Sequence, residues 1–199
     1  MTAASKEHGF YCFDAILDHL NGSKITRTPS FPNDEYPLFV TWKILDSGYE
    51  PRLRGCIGSF NSMRLHKGLL DYARISAFKD SRFSPISLEE VDQLECGVSL
   101  LTNFEKGLHW QDWTIGTHGV RISFKDDMDM KYSATYLPEV AESQGWDHQQ
   151  TIDSLILKSG YRRTISNDLR NQIQLERYQS SKAYVTYSEY LEARKADQN

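Results

Sequence analysis

Residues 53–58 read Leu53-Arg54-Gly55-Cys56-Ile57-Gly58, a cysteine bracketed by two glycines with an arginine two residues before it. Just before it, Leu38, Val40, Trp42 and Ile44 alternate with more polar neighbours, the pattern of a half-buried strand. Asp46-Ser47-Gly48 supplies the turn residues. The hexapeptide then lies on the returning strand of a hairpin. Held as a regular strand, residues 52–60 place Arg54, Cys56, Gly58 and Phe60 on one face, and Leu53, Gly55, Ile57 and Ser59 on the other. Arg54 and Cys56 are then two steps apart, about 6.6 Å between Cα atoms, near enough for a guanidinium to favour the thiolate. Gly58 leaves room beside the sulfur. The competing reading is a buried cysteine in a glycine-bulged strand, with Arg54 paired to a carboxylate elsewhere.

Outward from the hairpin, helices and strands mix. Phe10, Phe13, Leu17 and Leu20 recur at helical spacing, which predicts a helix over 7–20. Three prolines mark 21–37 as a loop. Leu65, Leu69, Ala73 and Ala77 predict a helix over about 62–79, capped by Asn61 or Ser62. Ser87-Leu88-Glu89-Glu90 is a capping box for a short helical turn. Strands are expected at Leu94–Leu100, Val120–Phe124 and 131–137, then one at Ile173–Leu175 and another at Tyr184–Tyr187. Pro138 starts a helix that Gly145 stops, Asp147 with Gln150 caps a further one closed by Gly160, and Ser188 caps a terminal one. Hairpin-like strands with separate helices give an α+β fold with a mainly antiparallel sheet and flanking helices. The chain is read as one domain over 1–199, with about 1–6 and 195–199 disordered.

A cysteine nucleophile needs a base. His118, in Ile115-Gly116-Thr117-His118-Gly119, lies between two glycines just before a strand and is the first candidate; its alternative is a turn histidine with a local hydrogen bond. His66 opens a predicted helix near the end of the cysteine strand. Asp80 and Arg82 follow that helix, within reach of the same pocket or as a solvated ion pair. The candidate catalytic set is therefore Cys56, His118 and Arg54, and the candidate binding set is Gly55, Gly58, Phe60, His66, Asp80 and Arg82. His109 reads as packing beside Trp110 and Trp113; His8, His19 and His148 read as surface residues.

Composition removes several classes. The 199 residues are 39% hydrophobic and 25% charged, enough to build a core. A net charge of −4 argues against a duplex-binding basic domain, although Arg52, Arg54, Arg162 and Arg163 could cluster. The N-terminus has no signal-peptide core, and no apolar run is long enough to span a bilayer. Cys12, Cys56 and Cys96 are odd in number and far apart, so neither a disulfide framework nor a zinc site is expected, and a reducing compartment, cytoplasm or nucleus, is. Phosphate-loop, dinucleotide, zinc-protease and serine-hydrolase motifs are absent from the sequence. No cofactor is indicated.

The hexapeptide resembles the signature of the AMMECR domain family. The likeness continues in family order through Asp80-Ser81-Arg82-Phe83, Ile115–Gly119, Leu137-Pro138-Glu139-Val140, Gly145-Trp146-Asp147 and Lys158-Ser159-Gly160-Tyr161. Ser159 stands where family members have alanine. The resemblance implies two unequal subdomains with the signature near a cleft, and no firmly assigned activity. In some prokaryotes the domain accompanies a Memo-type dioxygenase-like protein and a radical-SAM protein; vertebrate members are associated with the nucleus. Two functions follow as expectations. One is an enzyme with Cys56 as nucleophile or redox centre, Arg54 stabilising the thiolate, His118 as base and backbone amides near Gly55 and Gly58 holding an oxyanion. The other is a non-catalytic binding or adaptor domain in a regulatory assembly, for a small molecule or protein partner. A nucleic-acid role comes third.

Overall fold

A computed structural model describes residues 3–23, 27–45 and 50–196. Helix α1 (Lys6–Asn21) is followed by the strands β1 (Glu35–Ile44) and β2 (Arg52–Arg64), helix α2 (Leu65–Phe78) and a 3-10 turn (Leu88–Gln93). Then come β3 (Leu94–Lys106), β4 (Gly119–Lys125), β5 (Lys131–Tyr136), α3 (Pro138–Gln144), α4 (His148–Lys158), α5 (Asn167–Gln172), β6 (Gln174–Thr186) and α6 (Tyr187–Ala196). The strands follow the order β2-β1-β3-β6-β4-β5. The β1–β2, β1–β3, β4–β5 and β4–β6 pairings are antiparallel, so the fold is α+β.

The chain divides into two compact units of unequal size. The first holds residues 1–100 with 181–199, and the second 101–180. In the first unit α1 and α2 cover one face of the β2-β1-β3 sheet. Trp42 shows why: its side chain is fully buried, its indole N–H donates to the Ala73 carbonyl of α2 at 3.1 Å, and Phe13 of α1 meets its ring edge-on at 5.1 Å. In the second unit Val120, Ile122, Phe124 and Leu175 carry the core with Ile152, Leu155 and Ile156 of α4.

Several boundaries differ from expectation for visible reasons. Pro37 lies inside β1, at a step where the ladder to β2 skips between Tyr36 and Leu38, so its missing N–H costs no bond. β2 runs through Asn61 and Ser62 into α2 without a break, and neither residue caps the helix. The opening amides of α2 are satisfied from the loop before β1: Leu65 N–H donates to the Asp34 carbonyl and His66 N–H to Asn33 Oδ1. The two strands expected near the C-terminus are one continuous strand, β6. Thr186, not Ser188, accepts the Glu189 amide at the start of α6. Ala4 is buried, Ser5 caps α1, and α6 continues to Ala196. The expected Asp46-Ser47-Gly48 turn lies outside the described residues.

Candidate functional site

Strand β2 is bulged at Arg54. Trp42 pairs with Gly55 and Lys43 with Leu53, which leaves Arg54 as the extra residue. The bulge changes the phase of the hexapeptide. Gly55 shares the helix-covered face with Trp42, whereas Leu53 shares the other face with Lys43. Cys56, opposite Thr41, also lies on that other face.

Each part of the motif then has a structural account. Gly55 takes α2 directly on its backbone: a Cβ there would sit 2.1 Å from the Ser76 carbonyl oxygen. Gly58 lies under Phe39, and its Cβ would be 2.2 Å from that ring and 2.3 Å from the Leu38 carbonyl. The space expected beside the sulfur is therefore filled by the protein's own Phe39. Phe60 meets Phe39 edge-on at 5.2 Å. Arg54 is buried, with Nε and Nη2 on the two oxygens of Glu90 at 2.7 and 3.0 Å, and with Nη1 and Nη2 donating to the carbonyls of Ser84 and Pro85. It clamps residues 84–90, the carboxylate pairing that was the alternative to a thiolate role. Glu90, held mainly by this hydrogen bond from Arg54, has its carboxyl pKa lowered, and it also accepts the Ser87 amide at 2.8 Å.

Of the two motif side chains with polar chemistry, Arg54 is buried in these contacts and Cys56 is only partly buried; Cys12 and Cys96 are buried, and all three are free thiols. Thr41 Oγ1 donates to Cys56 Sγ at 3.2 Å. The backbone beside it is gripped by Asp80 and Arg82. The Cys56 N–H donates to Asp80 Oδ2 at 3.0 Å, and Arg82 Nη2 donates to the Cys56 carbonyl at 3.1 Å. The Cys56 amide is thus occupied and does not serve an oxyanion. Asp80 is buried and receives Arg82 through Nε at 2.9 Å and Nη2 at 2.6 Å; this pairing, with the backbone bonds, holds its carboxyl well below the usual range. Arg82, not Arg54, is the guanidinium that contacts Cys56.

The histidines are engaged elsewhere. His66 bonds the Phe31 carbonyl through Nε2 at 2.9 Å and packs on the Phe31 ring. His8 and His19 belong to α1, the first against Phe31 and the second against Phe78 of α2. All three are on the helical side of the first unit. His118 lies in the second unit, in a turn where its Nδ1 accepts the Thr114 amide at 2.9 Å and Gly116 takes a left-handed φ of 77°. That is the local hydrogen bond of the alternative reading. His8 is buried rather than on the surface, and it is His148, not His109, that packs on Trp113, at 4.7 Å. Of the arginines considered for nucleic acid, Arg162 bonds the Leu157 carbonyl and Arg163 faces Asp126 at 3.8 Å. Among the described residues no cluster of histidine, cysteine and carboxylate is arranged to hold a metal ion, and no helix is long and apolar enough to cross a membrane.

The signal that sequence reading missed is Thr41. It is placed by the hairpin register opposite Cys56, and only a correct pairing of β1 with β2 reveals it.

Comparison with known proteins shows the family and the fold. The AMMECR1 family model matches residues 10–183. An uncharacterized protein of Arabidopsis thaliana is 46% identical over 197 residues, covering 98% of this chain and 92% of its own length. An uncharacterized protein of Schizosaccharomyces pombe is 40% identical, covering 94% and 95%. A crystal structure of an uncharacterized protein from Pyrococcus horikoshii superposes with a TM-score of 0.69 at 24% identity over 92% of this chain and 94% of its own, and has the same fold.

Proposed function

Since the chain belongs to the AMMECR1 family, whose relatives here are named uncharacterized, we propose that it works through the Cys56 thiol, as a cysteine-centred enzyme of an intracellular compartment, cytoplasm or nucleus. The observation that carries this is the division of labour inside the hexapeptide. Arg54, Gly55 and Gly58 are consumed by packing, whereas Cys56 is only partly buried and its sulfur is met by the Thr41 hydroxyl at 3.2 Å. A hydroxyl donor gains strength as the sulfur gains negative charge. Arg82 and Asp80 fix the backbone that carries the thiol, the positioning that a nucleophile requires. Thr41 thereby takes the thiolate-stabilising role that sequence spacing gave to Arg54.

The test is covalent trapping. Folded protein is exposed to a panel of acrylamides, thioesters and mixed disulfides, and adducts are read by intact mass. The expected result is a single adduct that disappears in Cys56→Ser and forms more slowly in Thr41→Val at unchanged Tm. No adduct across the panel, or equal rates in Thr41→Val, would contradict the proposal. A second reading, a non-catalytic binding domain, is favoured by one observation: Leu53 and Tyr184 are 37% and 46% exposed on the same sheet face as Cys56. It predicts that Cys56→Ser retains every interaction of the wild type.

A further inference from the structure

The second unit carries a cavity of about 480 Å³ that has no part in the Cys56 site. It lies against the β4–β5 hairpin, where Phe124 and Tyr132 also border it. The pairs Val120–Tyr136, Ile122–Ala134 and Phe124–Tyr132 face the core of that unit. The alternate pairs, Arg121–Thr135, Ser123–Ser133 and Lys125–Lys131, face the other way, and β6 extends two of them with Glu176 and Gln174. The first polar rung is balanced, because Arg121 meets Glu176 at 3.1 Å. The last is not. Lys125 and Lys131 stand directly opposite each other, and like charges so placed repel. Lys125 has Asp129 at 2.6 Å, a pair in which both side chains are exposed and which is therefore weak. Lys131 has no acidic partner among the described residues. Ser123, Lys125, Lys131, Ser133, Gln172 and Gln174 all line the cavity.

We infer that this cavity binds a small phosphate ester, with Lys125 and Lys131 on the phosphate and Ser123, Gln172 and Gln174 on the hydroxyls of the ester's organic part. The size suits a small metabolite. A dianion between the two ammonium groups relieves the repulsion that the bare rung carries. Lysine on an edge strand such as β5 also discourages edge-to-edge pairing, but that role needs neither a second lysine opposite nor amide side chains around a common cavity.

The experiment is a titration of backbone amide chemical shifts with inorganic phosphate and, separately, ribose 5-phosphate. Both are expected to give saturable shifts confined to 123–125, 131–133 and 172–174, with ribose 5-phosphate several-fold tighter. Lys131→Gln is expected to abolish both sets without lowering Tm, and Gln174→Ala to remove only the preference for the sugar phosphate. Non-saturating shifts, shifts that survive in Lys131→Gln, or equal affinity for the two probes would overturn the inference. The readout does not depend on Cys56.

Discussion

At the scale of single residues, the hexapeptide separates into scaffold and chemistry. Gly55→Ala drives a methyl group into the Ser76 carbonyl, 2.1 Å away on a buried helix, and the account predicts a loss of about 3 kcal/mol or more in denaturant unfolding. Cys56→Ser changes one atom of a partly buried residue, and its cost is expected to stay within about 1 kcal/mol. Equal losses in the two variants would make the cysteine one more packing residue. The sequence showed that both glycines allow a close approach. It could not show that the approaching groups are Ser76 and Phe39 rather than a ligand, because that depends on which face each glycine takes. A single bulged residue, Arg54, sets the face of Leu53 relative to Gly55, and no local pattern announces it.

At the scale of elements, β2 is joined to the chain that follows α2 by two carboxylates, Asp80 on the Cys56 amide and Glu90 on Arg54. Asp80→Ala leaves that amide without its acceptor and frees Arg82, so a loss of about 2 kcal/mol is expected, together with altered reactivity at Cys56. Unchanged stability would show that the Asp80 bond contributes nothing. The folded state holds both carboxyls below their ordinary values. Their contribution is therefore present above about pH 4 and lost as pH falls further. The Ser87–Glu90 capping box was legible from four letters, as were the Pro138–Gly145 helix and the Asp147 cap. The continuity of β6 was not: Gln179, Ser180, Ser181 and Lys182 stand in a row in its middle, and no local pattern marks them as strand.

At the scale of the whole molecule, stability should respond to pH in two stages. His8, buried against Phe31, has its pKa lowered to about 4, first by burial and then by His66. The unfolded chain takes up that proton near 6.5. Its contribution is present above about 6.5 and is lost as pH falls toward 4, on the order of 3 kcal/mol in full; the two carboxylates follow below. His8→Gln keeps a capping-box acceptor opposite Ser5, and it is expected to flatten the slope of unfolding free energy between pH 6.5 and 4; an unaltered slope would contradict the assignment to His8. The α+β class and the hairpin were legible because alternation and capping are local signals, whereas Thr41 as partner of the thiol was not, being 15 residues from Cys56 in sequence. Whether the fold leaves Cys56 free for chemistry is read by site-resolved alkylation with iodoacetamide before and after unfolding, all three cysteines being kept. Cys56 is expected to be labelled in the folded protein, and Cys12 and Cys96 only after unfolding; labelling of Cys56 only after unfolding would make it a packing residue and overturn the proposed role.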